Sequence, residues 1–176
     1  MAEKRQNVIT PYPSKEAEIG HWLGAFQDAR ARTLEQLEGL SQPVIDWLPP
    51  EEESSIGTVL YHIALIEADW LYEEVLEQPL PPEVEALFPF HHRDSQGRLT
   101  QVRGFSLEDY LNLLAKVRIL LLGVYGRMDL SDFRRARSLE PYDVTPEWVL
   151  HHLMQHEAEH RSQIGALRNR AERDIF

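Results

Sequence analysis

Apolar residues recur at helical spacing in four long stretches of this chain, and prolines and glycines gather between the stretches. A mostly helical fold is the one that hides such apolar faces. In residues 14–40 the run is Ile19, Trp22, Leu23, Phe26, Leu34, Leu37 and Leu40, which predicts a first helix with Ser14 as its cap. Pro43 and the Pro49-Pro50 pair mark a turn, after which Ser54 or Ser55 opens a second helix to about Leu76. Residues 78–105 hold Pro79, Pro81, Pro82, Pro89, Gly97 and Gly104, too many breakers for a regular element. They read as a long connection of the kind that often covers a functional site. Ser106 with Asp109 has the form of a capping box in front of a third helix, residues 107–128. Another irregular stretch follows, and Thr145-Pro146-Glu147-Trp148 then opens a fourth helix to about Arg173. No strand is expected. The fold class is therefore all-α: an antiparallel four-helix bundle with long connections between helices 2 and 3 and between helices 3 and 4. At 176 residues one domain accommodates it, residues 1–176 with an N-terminal arm over 1–13.

Charge narrows the partners. Eighteen Lys and Arg stand against 29 Asp and Glu, a formal net charge of -11 that repels a phosphate backbone, so no nucleic-acid partner is expected. The densest basic cluster, Arg134, Arg135 and Arg137, is short, lacks interleaved aromatics and reads as a solvated loop. The N-terminal residues lack the apolar core of a signal peptide, and the longest apolar stretch, near Ile119, is too short to span a bilayer. No membrane association and a cytoplasmic location are the expectation. Cysteine is absent, so any metal must rest on imidazole and carboxylate.

Histidine placement is the chemical signal. Stepping about 100° per residue from His156 puts Val149, Leu153, His160, Ile164 and Leu167 on one face, within about 80° of it. Two imidazoles thus sit one turn apart in an apolar stripe, where an unpartnered ring nitrogen is costly. An i, i+4 pair can aim both rings at one divalent cation. His62, on the face of helix 2 with Val59, Ile66 and Trp70, is the candidate third ligand. The alternative is that all three are core or rim histidines bonded to neighbouring carboxylates. Asp69 and Glu73, on the His62 face, read as rim carboxylates or as acceptors that orient the imidazoles. His152 lies at the edge of the stripe, His151 on the opposite side, and His91 and His92 in the long connection, outside the site.

Residues 156–160, His-Glu-Ala-Glu-His, also satisfy the H-E-x-x-H pattern of zinc proteases, with Glu157 in the general-base position. The metzincin continuation is missing, because Gln163 and Ala166 occupy its glycine and histidine positions. Proteases also tend to present substrate along a strand edge, and no strand is expected. Glu157 reads equally as a residue flanking the metal or as a helix-surface carboxylate.

Two blocks of sequence carry a family resemblance: residues 54–63, Ser-Ser-Ile-Gly-Thr-Val-Leu-Tyr-His-Ile, with Glu67 and Trp70 after them, and residues 152–164, His-Leu-Met-Gln-His-Glu-Ala-Glu-His-Arg-Ser-Gln-Ile. With the upstream Leu48-Pro49-Pro50, they resemble the DinB/YfiT-like superfamily of small four-helix metal-binding proteins. The resemblance implies that His62, His156 and His160 bind a divalent metal, commonly nickel or zinc, with positions left open for water or substrate. Ser162 stands where glycine is frequent in that group, a departure that bears on helix packing. The resemblance further implies a metal-dependent enzyme acting on a small molecule, such as an S-transferase using a low-molecular-weight thiol like bacillithiol. In that scheme Arg161 holds a cofactor carboxylate or, more simply, forms an interhelix ion pair. The alternatives are a non-catalytic metal or ligand-binding bundle and a metal-dependent hydrolase. Outer helix faces are compatible with a homodimer.

Overall fold

A computed structural model describes residues 6–50 and 54–175; the first five residues of the expected arm and Phe176 lie outside the described part. Among the described residues it is mostly helical, with seven α-helices. Four are long: α1 (Ala17–Leu37), α3 (Ile56–Asp69), α5 (Leu107–Tyr125) and α7 (Pro146–Ile175). Three are short: α2 (Gln42–Asp46), α4 (Pro82–Glu85) and α6 (Leu130–Phe133). Helix α3 packs on α5 and α7, α1 packs on α7 and α5, and their apolar faces share one core.

Local chemistry sets most of the helix starts. The Ser106 hydroxyl accepts from the Asp109 N–H, and the Asp109 carboxylate accepts from the Ser106 N–H, a complete capping box. Ser55 Oγ accepts from the Thr58 N–H at 3.1 Å, and Thr145 Oγ1 accepts from the Trp148 N–H at 3.2 Å. The start of α1 departs from expectation. Its N-cap is Glu16 without a side-chain cap bond, and Ser14 instead donates to the Glu16 carbonyl at 2.6 Å. The preceding arm lies against α1, with the Tyr12 N–H donating to the Gly20 carbonyl. A Cβ at Gly20 would stand 2.7 Å from the Tyr12 oxygen, so this close approach requires glycine. Gly57 serves α3 and α5 in the same way, since a Cβ there would meet the Tyr110 hydroxyl at 2.5 Å.

Other departures lie in the connections. Pro43 stands in the first turn of the short helix α2, a position that needs no N–H, where a plain turn was expected. Helix α3 passes into a π-turn, Trp70–Val75, instead of ending as α-helix near Leu76. The second irregular stretch contains α6 and a two-stranded antiparallel hairpin, β1 (Arg137–Ser138) and β2 (Asp143–Val144), so the expectation of no strand is corrected. Arg137 is not part of a solvated loop. It is 2% exposed and donates to the carbonyls of Val75, Asp132 and Arg135, while Arg134 pairs with Glu18 and Arg135 with Glu77. No helix among the described residues is long and apolar enough to cross a membrane.

The long connection between α3 and α5 is pinned to α3. Tyr61 Oη donates to the Phe90 carbonyl at 2.7 Å and accepts from its N–H, and Thr58 Oγ1 accepts from the Val102 N–H. Between these anchors residues 93–99 turn back on themselves through the Arg93–Leu99 bridge. Asp94 accepts from the Gln96 and Arg98 N–H groups, and Gly97 takes the φ of 79° that the turn requires.

Candidate metal centre

Helices α3 and α7 bring the three expected histidines together. His62 Nε2 lies 3.2 Å from His156 Nε2, which lies 3.1 Å from His160 Nε2. Taking metal–nitrogen bonds of about 2.0–2.1 Å, two nitrogens on one ion at tetrahedral or octahedral angles stand about 2.9–3.4 Å apart, and the observed spacings fall in that window. Hydrogen bonding does not account for the arrangement. An imidazole nitrogen has either one proton or one lone pair, so His156 Nε2 cannot form a good hydrogen bond with both neighbours at once. A cation accepting all three lone pairs removes the conflict.

Proton placement agrees with that donor set. His160 Nδ1 lies 2.9 Å from Gln163 Oε1, and because an amide oxygen only accepts, Nδ1 carries the proton and Nε2 keeps its lone pair. Burial, with His160, Arg93 and His92 adding, holds the His62 pKa down to about 3; burial, with His160, His62 and His152, does the same at His156. Both rings are neutral near pH 7, the form that ligates. His62 Nδ1 is buried without a hydrogen-bond partner. Among the described residues no fourth His, Asp or Glu joins the group.

A cavity of about 590 Å³ opens over the triad, roofed by the 93–99 turn of the long connection and flanked by Ser54 and Gln163. Arg93 and Arg98 face it, and among the described residues that line it none is acidic, although the chain as a whole carries -11. The connection is thus the cover that its proline content and length suggested. His91 and His92 are exposed on it, apart from the triad.

Several neighbours resolve differently from their sequence readings. Glu157 neither flanks the triad nor faces solvent. It is 1% exposed, with Oε1 accepting from Arg30 Nε at 2.6 Å and Oε2 from Arg118 Nη2 at 2.9 Å. Burial raises its pKa, but the two guanidiniums outweigh burial and hold the carboxyl below the ordinary range. Buried between two guanidiniums and not among the residues lining the cavity over the triad, Glu157 is not placed to act as general base on a water there, which counts against the protease reading. Glu67 completes the cluster, accepting from Arg30 at 2.8 Å and from Arg118 at 2.7 Å. One residue from each long helix meets in this buried quartet: Arg30 from α1, Glu67 from α3, Arg118 from α5 and Glu157 from α7.

The quartet escaped the sequence reading although it left a trace. Arg30 falls in step with Leu23, Phe26, Thr33 and Leu37 on the buried face of α1, a charge on an apolar stripe. Gln163, one turn beyond His160, left none. Asp69 and Glu73 make no contact with the imidazoles. Asp69 is half-buried and its pKa is pushed up to about 7 by burial, then by Glu73 and Glu74, while Glu73 is exposed, so the rim reading holds. Arg161 donates to the Ala29 carbonyl at 3.3 Å instead of forming an ion pair. His151 is exposed, as its helical position indicated, and Ser162 is exposed too, so a serine there crowds no helix contact.

A family model described as the DinB superfamily matches residues 25–164, a span that contains the triad, the quartet and the covering connection. A comparison with curated proteins finds no match.

Proposed function

The chain belongs to the DinB superfamily, and from that premise we propose that it is a metal-dependent enzyme in which His62, His156 and His160 hold one divalent ion, nickel or zinc. The observation that carries this reading is His156 Nε2 standing 3.2 Å from His62 Nε2 and 3.1 Å from His160 Nε2, spacings that suit a shared cation and that hydrogen bonding cannot satisfy together. An ion bound there supplies a Lewis acid that lowers the pKa of a thiol or water brought to it. Gln163 fixes the His160 tautomer, and the Arg30–Glu67–Arg118–Glu157 quartet fixes the rotation of α3 and α7 relative to each other.

Three imidazole ligands bring no charge to compensate the ion's, and Arg93 adds to it, while Arg98 is paired with Asp94 at 2.9 Å. The cavity is therefore suited to an anionic ligand. This favours transfer chemistry with a low-molecular-weight thiol, bacillithiol being one candidate, which binds as its thiolate while the 93–99 turn limits water. The cavity above the triad, and the lack of a fourth ligand among the described residues, favour catalysis over a purely structural ion. In the same reading residues 1–176 form one cytoplasmic domain whose four long helices run as an antiparallel bundle.

The test is to incubate metal-loaded protein with a panel of thiols paired with electrophiles, alongside hydrolase substrates. Thiol-dependent turnover that disappears in His156→Ala together with metal retention is the expected result. Full turnover by His156→Ala rules the scheme out, and turnover of the hydrolase substrates alone moves the assignment to hydrolysis.

A further inference from the structure

A second cavity, of about 570 Å³, is bordered by Trp70, Tyr142 and Trp148, with Asp143 and Thr145 also lining it. Three separate devices bring the rings together. Trp70 opens the π-turn that follows α3, where the Leu76 N–H reaches back to the Leu71 carbonyl, and π-turns frequently mark functional positions. Tyr142 lies in the hairpin turn closed by the bond from the Leu139 N–H to the Tyr142 carbonyl. Trp148 occupies the first turn of α7. The Tyr142 ring is within 14° of parallel to Trp70 with centroids 6.5 Å apart, and Trp148 lies 5.6 Å from Trp70. Core packing does not require this wall to be open, yet Tyr142 is 42% and Trp148 48% exposed.

Carboxylates back the aromatic faces. Tyr142 Oη donates to Glu74 Oε1 at 3.0 Å, and the other oxygen of Glu74, a residue only 8% exposed, is buried without a partner. Asp143 stands on the wall itself, and no Lys, Arg or His is among the described residues lining the cavity. A neutral apolar ligand gains from the rings but draws nothing from the carboxylates. A small hydrated metal ion finds too few oxygens among indole and phenol faces. A cation with an apolar coat uses both features, because π faces attract its charge and its weak hydration makes entry inexpensive. His152 touches this wall and the triad, with its ring 4.3 Å from Trp70 and 6.1 Å from His156, but it does not line the cavity.

We infer that this cleft, lined by residues other than those of the triad's cavity, is a binding site for an alkylated ammonium compound, one carrying a trimethylammonium or similar head. The test titrates the full chain with choline and with 3,3-dimethylbutan-1-ol, the uncharged analogue of the same shape. Tryptophan fluorescence and indole N–H resonances, which separate Trp70 and Trp148 from Trp22 and Trp47, report the binding. Choline is expected to bind about tenfold more tightly than the alcohol, the size of a desolvated cation–π contribution. Trp148→Leu, at a half-exposed position that keeps apolar area, is expected to lose about that factor, and Glu74→Gln to reduce the preference for the cation. Equal binding of the two compounds, binding of neither, or choline affinity unchanged in Trp148→Leu overturns the inference. Should Glu74→Gln fail to fold by circular dichroism, the Trp148→Leu comparison decides alone.

Discussion

At His156 a single nitrogen faces two others at hydrogen-bond distance with one lone pair or one proton to offer, and this is what turns a cluster of histidines into a ligand set. The Gln163 carboxamide acts one step further out by holding the His160 proton on Nδ1. Replacing it, as in Gln163→Leu, is expected to weaken zinc or nickel binding about 10- to 100-fold with the helix content unchanged, as is typical of partners that orient metal-ligating imidazoles. Titration of the variant against a competing chelator measures this, and unchanged affinity would mean that Gln163 does not orient the ring. The three histidines were legible because helical spacing placed each on an apolar stripe, where an imidazole requires an explanation. Gln163 and Glu157 were not. Spacing tells which side of its own helix a residue occupies, whereas their partners come from a freely rotating ring and from two other helices.

Among the elements, the long helices are tied by the quartet as well as by apolar packing. Removing one partner of a buried ion cluster leaves an uncompensated charge, which costs about 3–5 kcal/mol. Glu157→Ala is therefore expected to lower unfolding stability by that order in urea denaturation. If Glu157 were instead a catalytic base at the protein surface, the same change would abolish activity and leave stability near the wild-type value. Helix starts at Ser55, Ser106 and Thr145 could be read from the sequence because a cap is a local bargain between a side chain and the next turn. The π-turn at Trp70–Val75 and the hairpin at Arg137–Val144 could not. Their stability comes from contacts distant in sequence, such as the bond from Arg137 to the Val75 carbonyl.

Across the whole molecule, stability depends on pH wherever folded and unfolded pKa values differ, and Asp69 contributes with a sign unusual for a carboxylate. Its folded pKa is raised to about 7, first by burial and then by Glu73 and Glu74, so between pH 3.8 and 7 the folded state holds a proton that the unfolded chain has released. The contribution of this group to stability is fully present below pH 3.8 and lost as pH rises through about 7. Asp69→Asn removes that loss. The stability gap between variant and wild type is expected to grow in favour of the variant from about pH 4 to 7 and stay level above, by thermal melts at fixed salt; a gap independent of pH would contradict the raised pKa. At the same scale, the proline-rich connection could be recognised as a cover from its length. Which turn lies over the triad depended on the Tyr61 and Thr58 anchors, which spacing alone does not reveal.

X-ray absorption at the metal edge, on protein carrying one equivalent of nickel or zinc, addresses the metal centre most directly. The expected spectrum shows three imidazole nitrogens at about 2.0–2.1 Å, completed by exchangeable oxygen ligands, and loses its imidazole signature in His156→Ala. Coordination by oxygen alone, or an identical spectrum from that variant, would contradict a centre built from His62, His156 and His160.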